Sequence, residues 1–599
     1  MANPFARKKA IKKPRIAGEL RQNQLITSFG IGYIVDFVSD TVIIAGTDEW
    51  EESNDELILY NENLQSLTGA KYFIKPKTDS SSTIFNKSND IPSYIFPEKL
   101  YCPNCKMIFD IKELQNQSNP HKCLNCKNPQ LVAGRFIVVC ENGHIEDFPY
   151  SWWVHRGEDC KCENPRIKMF NIDERSDIES LMLKCCECGK TRLLFGAFQE
   201  NALSGERGYK CRGYHPHLKN PLAFSDRGCN STLRTRLRTS SSVYFPVIQS
   251  ALSIPPWSRQ AIKVIRQKYE DIKWISDENI RDYLIERILP TLSKEVTIDD
   301  LLHALQIVKK QLKSTVIRTE KDIYQDEYNE LLKGDCNEGE FTSYTVNIPK
   351  KYNEYIDKIV VVDRLTEVQA LYGFTRVKPW DSVSLKDEKI APLSMHNKKW
   401  LPAVKMNGEG IFIKFNIDKL KQWESKVKKR YNEMIENYEK GYLKNKKFSI
   451  RYVLLHTFSH LLMRQIANEC GYNVASIKEK IYSTFYDGES GNTEMAGILI
   501  YLATADSEGS LGGLISIAND VISIEKIFDD MLNKALWCSG DPLCINSTEQ
   551  GYLSLNYAAC HDCTLLPETS CEFRNVLLDR VAIVGTNENR SLGLFGNII

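Results

Sequence analysis

Apolar positions along this chain change period several times, and each change marks a different kind of element. Gln24–Phe37 (QLITSFGIGYIVDF) reads as two short strands around a Gly30/Gly32 turn, and Thr41–Gly46 as a further β-branched run. Residues 52–95 are polar and carry a surface loop at Thr78–Thr83. Short strands punctuated by Gly and Asn fill Cys102–Cys229. In Leu233–Ile248 three arginines, Arg234, Arg236 and Arg238, alternate ahead of the apolar run Val243–Val247, and Pro255–Pro256 marks a boundary. Residues 257–330 are helical in pattern. Thr297 and Asp300 form an N-capping pair, and Ile298, Leu301, Leu302, Leu305 and Val308 recur at helical spacing.

Strands and turns return over 345–415, where Gly408-Glu409-Gly410 precedes the alternating Ile411–Phe415. Lys419–Lys447 is a charge-rich helix read as a solvated face. Arg451–Ala467 is an apolar helix carrying His456 and His460. Met495–Ala503 is a buried strand, followed by the Gly-rich turn Asp506–Gly513 and two more helical stretches. The order gives an α+β, multidomain fold: a zinc-ribbon-like, β-rich N-terminal half, a mixed helical middle, and an α/β C-terminal domain with a Cys-rich end. The expected divisions are 1–99 (basic arm and β-rich region), 100–250 (cysteine-rich), 251–450 (mixed, mainly helical) and 451–599.

Composition narrows the function. At roughly 100–200 residues per domain, 599 residues suffice for about three to five domains. With 78 Lys+Arg against 77 Asp+Glu, the formal charge of +1 excludes a histone-like polycation and a polyanion but leaves room for a local basic groove. No run approaches the roughly 18–20 apolar residues of a membrane span. The basic start (Arg7, Lys8, Lys9, Lys12, Lys13, Arg15) has no apolar signal region after it. A cytoplasmic protein with reduced thiols is the expectation. Metal is then the leading explanation for 19 cysteines, twelve of which lie between Cys102 and Cys229 and five between Cys538 and Cys571.

Cys102-x2-Cys105-x17-Cys123-x2-Cys126 has the spacing of two zinc knuckles, and four thiolates leave no open position for water. A structural Zn2+ is the expectation. A second set joins Cys185 and Cys188 to Cys211 and Cys229, with His215 and His217 as competing ligands. A third joins Cys140 and His144 to Cys160 and Cys162, with His155 an alternative nitrogen, and leaves Cys186 over. The C-terminal set is Cys538, Cys544, Cys560, Cys563 and Cys571. Five thiols exceed the four needed, and His561 is a further candidate. Zinc is preferred there, with an iron–sulfur cluster as the rival.

Catalytic patterns are weaker. Gly189-Lys190-Thr191 has Lys184 where a phosphate-binding loop needs Gly, and it sits inside a knuckle. His456 and His460 share a helix face, but Thr457 stands where the zinc-peptidase motif needs Glu. They read as a hydrogen-bonded packing seam rather than a metal-dependent nuclease centre. Asp506 and Glu508 have no convincing third partner for Mg2+. Arg234, Arg236 and Arg238 on one side of a strand can track a phosphodiester backbone, and Ser510 and Gly512 can approach a phosphate. A solvated edge and a tight connection are the plain readings of these two features.

The chain resembles the DrmB family of DISARM anti-phage defence systems in Arg21–Phe37, Cys140–Trp153 (CENGHIEDFPYSWW), Leu365–Arg376 (LTEVQALYGFTR) and Gly408–Phe412. Its C-terminal portion is similar to a helicase-associated domain found in MrfA-type repair helicases. The likeness rests on Leu455–Leu462, Gly497–Gly513, Trp537–Cys544, Ala559–Cys563 and Pro567–Arg580. The resemblance implies a component without its own motor that pairs with a helicase-like ATPase of the DrmA type; the missing P-loop and the basic strand add the reading of a non-catalytic subunit that helps engage DNA. The resemblance also implies a zinc site that includes Cys560 and Cys563. The readings weighed against it are a metal-dependent nuclease and a purely structural bridge without DNA contact.

Overall fold

The computed structural model describes residues 16–599 except 39, 51–56, 78–90, 115–121, 127–129, 157–161, 174–176, 206–207, 221–228, 257–258, 293–295, 314–318, 381–384, 386–388, 441–448, 484–493 and 505–511. The basic arm, the Thr78–Thr83 loop, Cys160, Asp506, Glu508 and Ser510 therefore lie outside the described residues.

Two unusually long strands, Ile356–Thr375 and Trp400–Phe415, pair antiparallel from Ile356↔Phe415 to Ala370↔Ala403. They form the spine of a nine-stranded sheet. The first half of Ile356–Thr375 pairs with Phe341–Val346 and its second half with Phe245–Leu252. Beyond Trp400–Phe415 lie Ala496–Thr504 and then Ile477–Ser483, both antiparallel. Tyr72–Ile74 adds a parallel strand against Trp400–Pro402. One sheet thus takes strands from all four stretches into which the sequence divides, crossing the expected boundaries at 250 and 450. The C-terminal strands of the sheet pair antiparallel.

Both faces of this sheet are covered, which explains the continuous apolar runs. Successive residues on a strand point to opposite faces. Val361, Ile411, Ile413, Ile498 and Ile500 accordingly enter one core, while Val360, Val362, Phe412 and Leu499 enter the other. The first core is roofed by the helices Ile417–Lys440, Ile450–Cys470 and Val521–Ala535 and by Val581–Val584. The second packs under Glu320–Lys333 and the N-terminal segment around Leu25, Ile26 and Trp50.

Two local expectations are corrected. Gln24–Phe37 holds one strand, Ile34–Asp36, instead of two. Its first part curls into turns because Ile26 and Thr27 N–H both donate to the Asn23 carbonyl. Ile417–Lys440 is not merely a solvated face: Leu420, Trp423, Val427, Tyr431, Met434 and Tyr438 form a buried stripe at helical spacing. The helical pattern of 257–330 is present, with Ile262, Ile265, Leu301, Leu305 and Val308 in a separate small core. Among the described residues no helix is long and apolar enough to cross a membrane.

The Gly-Glu-Gly step has a steric cause. A Cβ on Gly408 would lie 1.6 Å from the Leu502 carbonyl oxygen, so only glycine lets the two strands approach there. Between the glycines, the fully buried Glu409 accepts the N–H groups of Gly512 (2.8 Å) and Leu514 (3.0 Å), at the start of the helix Gly513–Asn519.

Candidate metal centres

The N-terminal cysteines sit at the ends of small three-stranded sheets. Strand Lys99–Tyr101 delivers Cys102, the chain turns through Lys106 in the left-handed region (φ 63°), and Ile108–Asp110 returns. Cys105 N–H donates to Cys102 Sγ at 3.4 Å. Cys102 Sγ lies 3.6 Å from Cys126 Sγ, and Cys105 Sγ lies 3.5 Å from Cys123 Sγ. A disulfide needs about 2.05 Å between sulfurs. Four sulfurs about 2.3 Å from a central ion stand about 3.8 Å apart at tetrahedral angles. The donor set fits one Zn2+, as the knuckle spacing predicts.

The next two clusters exchange partners relative to the sequence expectation. Cys140 and His144 flank the tight turn between strands Phe136–Val139 and Ile145–Asp147, and their companions are Cys211 and Cys229. Cys140 Sγ is 3.2 Å from His144 Nδ1, 3.8 Å from Cys211 Sγ and 3.9 Å from Cys229 Sγ. Strand Arg234–Leu237 pairs with Phe136–Val139, and this pairing carries Cys229 to Cys140. Cys185 and Cys188 instead meet His155 and Cys162. The short helix Tyr150–His155 packs on strand Leu181–Cys185, which brings His155 Nε2 within 3.2 Å of Cys188 Sγ. Cys162 Sγ lies 3.9 Å from Cys185 Sγ. His155 Nδ1 is 2.8 Å from the Ser151 carbonyl, so it donates there and turns the bare Nε2 toward the sulfurs.

His215 and His217 stay out of both clusters. The His215 ring rests against His144 with centroids 4.6 Å apart, and His217 Nε2 donates to the Pro392 carbonyl at 2.9 Å. Burial holds both imidazoles below their ordinary pKa, His217 at about 3. Cys186 is exposed and lies outside these clusters. The Cys188 thiol is pulled down to about 6, first by the Lys190 N–H and then by His155. The Cys140 thiol is drawn to about 4 by Cys211 and His144. Both shifts are toward the thiolate, while the same Cys140–Cys211 contact pushes the Cys211 thiol up.

At the C-terminal end Cys538, Cys544, Cys560 and Cys563 converge. Cys538 Sγ lies 3.4 Å from Cys560 Sγ, Cys560 Sγ 3.5 Å from Cys563 Sγ, and Cys544 Sγ 3.9 Å from Cys563 Sγ. Arg464 binds this knuckle to the helix Ile450–Cys470 by donating to the carbonyls of His561, Asp562 and Leu565. His561 is exposed and contributes no ring nitrogen to the cluster. Cys571 is the spectator to this tetrad and lies against His456.

The expected nucleic-acid residues are otherwise engaged. Arg234, Arg236 and Arg238 do share one side, with Thr235 buried between them. Arg234, however, pairs with Glu200 (2.8 Å) and Glu141 (3.7 Å), and Arg238 with Asp36 (2.9 Å). Arg236 donates to Ser242 Oγ and to the Thr235 carbonyl. The Gly512 N–H, which a phosphate would need, is given to Glu409. Gly189 follows Cys188 in the left-handed region (φ 79°), and its N–H donates to the Cys185 carbonyl, so the Gly-Lys-Thr triplet is part of a knuckle.

Residues 21–245 match a domain of unknown function, DUF8724, and residues 458–564 match the MrfA Zn-binding domain. The first match encloses the three N-terminal clusters and the second encloses Cys538, Cys544, Cys560 and Cys563. A DISARM protein DrmB of Bacillus paralicheniformis is 30% identical over 593 residues, covering 94% of this chain and 100% of that one. A crystal structure of the DUF1998 helicase MrfA bound to DNA is 10% identical with a TM-score of 0.17. It covers 38% of this chain, and the chain spans 24% of that one.

Proposed function

Since the chain belongs to the DrmB family of DISARM proteins, we propose that it is a zinc-stapled, non-catalytic, cytoplasmic subunit of an anti-phage complex. In this reading it docks on a helicase-like ATPase of the DrmA type and helps that partner engage DNA. The observation that carries the reading is the closure of the four clusters: each brings four Cys or His donors within reach of one ion, from single short stretches at Cys102–Cys126 and Cys538–Cys563 and from separated segments in the other two. A centre with four protein ligands has no position left for a reacting water. Bound Zn2+ would supply cross-links there. Sulfur contacts of 3.4–3.9 Å at the C-terminal cluster support a single ion, because a cubane would have to fit between its four thiolates. The match to the MrfA Zn-binding domain supports zinc in the same place.

Two observations weigh on the rival readings. His456 and His460 are fully buried, which leaves no route for a phosphodiester to reach them and disfavours a nuclease centre there. The internal pairing of Arg234 and Arg238 favours the bridge without DNA contact, at least for that strand. One binding experiment separates the bridge from the DNA-engaging subunit. The purified chain is expected to co-elute with the ATPase subunit of its own defence system. The pair should bind DNA at least several-fold more tightly than the ATPase alone, with the difference shrinking as salt rises. Co-elution with unchanged DNA affinity would leave the bridge, and failure to co-elute would overturn both.

A further inference from the structure

A fifth group of donors lies apart from the four tetrads. His456 and His460 stand one turn apart on the helix Ile450–Cys470, Glu479 lies on strand Ile477–Ser483, and Cys571 belongs to the C-terminal tail beyond the knuckle. The two ring nitrogens, the carboxylate oxygen and the sulfur all lie within 4.8 Å of one another. His456 Nε2 is 3.2 Å from Cys571 Sγ and 3.2 Å from Glu479 Oε1, and His460 Nε2 is 3.3 Å from the same oxygen. These are the edge lengths of a tetrahedron drawn around an ion about 2.0–2.3 Å from each donor. We propose that His456, His460, Glu479 and Cys571 form a closed, mixed-ligand Zn2+ site that locks the C-terminal tail onto the central helix and the sheet.

Hydrogen bonding alone can hold this cluster only around a buried ion pair. His460 Nδ1 donates to the Thr564 carbonyl at 3.0 Å, so its Nε2 carries a lone pair aimed at the carboxylate. Without a metal, His460 would need a second proton to bond Glu479, and His456 Nε2–H would have to share one proton between Glu479 Oε1 and Cys571 Sγ. One cation satisfies all three short contacts. It also balances charge, since two neutral imidazoles, one carboxylate and one thiolate sum to the two negative charges that a divalent ion cancels. Burial raises the stakes, because the side chains of His456, His460 and Glu479 are 0% exposed.

The surroundings are those of a held ligand set. Cys571 Sγ accepts the N–H groups of Phe573 (3.3 Å) and Asn575 (3.1 Å), as Cys102 accepts that of Cys105. Glu479 is fixed by Ser459 Oγ on one oxygen, at 2.5 Å, and by the Glu572 N–H on the other, at 3.1 Å. Such partners orient ligands and fix tautomers at metal centres. Two nitrogens, one oxygen and one sulfur within 4.8 Å of one another suit Zn2+ better than the larger, oxygen-preferring Ca2+ or the octahedral, oxygen-preferring Mg2+. On binding, the Cys571 proton leaves to solvent. Because Thr564 follows Cys563 directly, the site shares a wall with the Cys538–Cys563 tetrad and extends the zinc-stapled reading to a centre with different ligand chemistry.

Crystals of the full chain, grown without added metal, test this by anomalous diffraction at the zinc absorption edge. The expected result is a peak equidistant from the four donors, in addition to those in the tetrads. Glu479→Gln, close in shape but a poorer ligand, should lose that one zinc per chain and keep the others. If that variant does not fold, the wild-type map decides alone. Peaks in the tetrads with water or nothing among His456, His460, Glu479 and Cys571 would overturn the inference and leave the zinc-stapled reading standing. A peak here with empty tetrads would do the reverse.

Discussion

Arg376 shows how much one side chain organises. Fully buried at the end of strand Ile356–Thr375, it donates from Nε to the Gly143 carbonyl (3.0 Å), from Nη1 to Val243 (2.6 Å) and from Nη2 to Gly32 (2.9 Å). Its guanidinium also lies 4.7 Å from the centroid of the Phe374 ring. It thus joins the Cys140–His144 turn to the N-terminal segment and to the main sheet. Lysine would keep the charge but not the planar fork, leaving at least one of these diverging carbonyls unmet. We expect Arg376→Lys to destabilise the chain by about 3 kcal/mol, seen as a lower urea midpoint. An unchanged midpoint would contradict this role. The motif ending at Arg376 was visible in the sequence, but its role was not, because the three acceptors come from residues 32, 143 and 243. The same limit governed the metal ligands. Cys-x2-Cys knuckles are local and legible, whereas the choice of companions depends on which strands pair. Glu479 shares a strand face with the core residues Ile477 and Ile481, but nothing local to that strand pointed to His456, His460 and Cys571 as its companions.

Among the elements, those with a strong period were the most legible. The Ile298–Lys313 helix follows its apolar spacing, and Thr297 with Asp300 caps it as expected, with the Asp300 N–H donating to Thr297 Oγ1 at 3.2 Å. The helix Ile417–Lys440 was half legible: its charge was plain, while the stripe from Leu420 to Tyr438 was diluted by lysines and glutamates. The Arg234–Leu237 strand shows the converse. Its alternation was plain, yet Glu141, Glu200 and Asp36 arrive from elsewhere to meet the arginines. The start of the helix Gly513–Asn519 depends on Glu409, whose two oxygens each receive one N–H. Glutamine would turn an amide group toward one of those donors. Glu409→Gln should cost roughly 1–3 kcal/mol and speed hydrogen exchange at the Gly512 and Leu514 amides. Unaltered exchange there would show that the carboxylate does not hold this helix.

At the scale of the whole molecule, the main sheet and the small N-terminal sheets differ in what holds them. The nine-stranded sheet is covered on both faces by large apolar cores. The three-stranded sheets around Cys102–Cys229 enclose far less: the core beside Cys102 consists of Leu100, Met107, Phe109, Ile111, Leu114 and Leu131 with two of the cysteines. Sheets this small require cross-links, and a closed zinc site of four cysteines can supply on the order of 10 kcal/mol. Amide hydrogen exchange on the full chain, before and after stripping metal with a chelator, tests that dependence most directly. Protection across residues 100–237 should collapse on stripping and return when Zn2+ alone is restored, while the strands Ile356–Thr375 and Trp400–Phe415 keep theirs. A verified metal-free chain with undiminished protection across 100–237 would contradict the account.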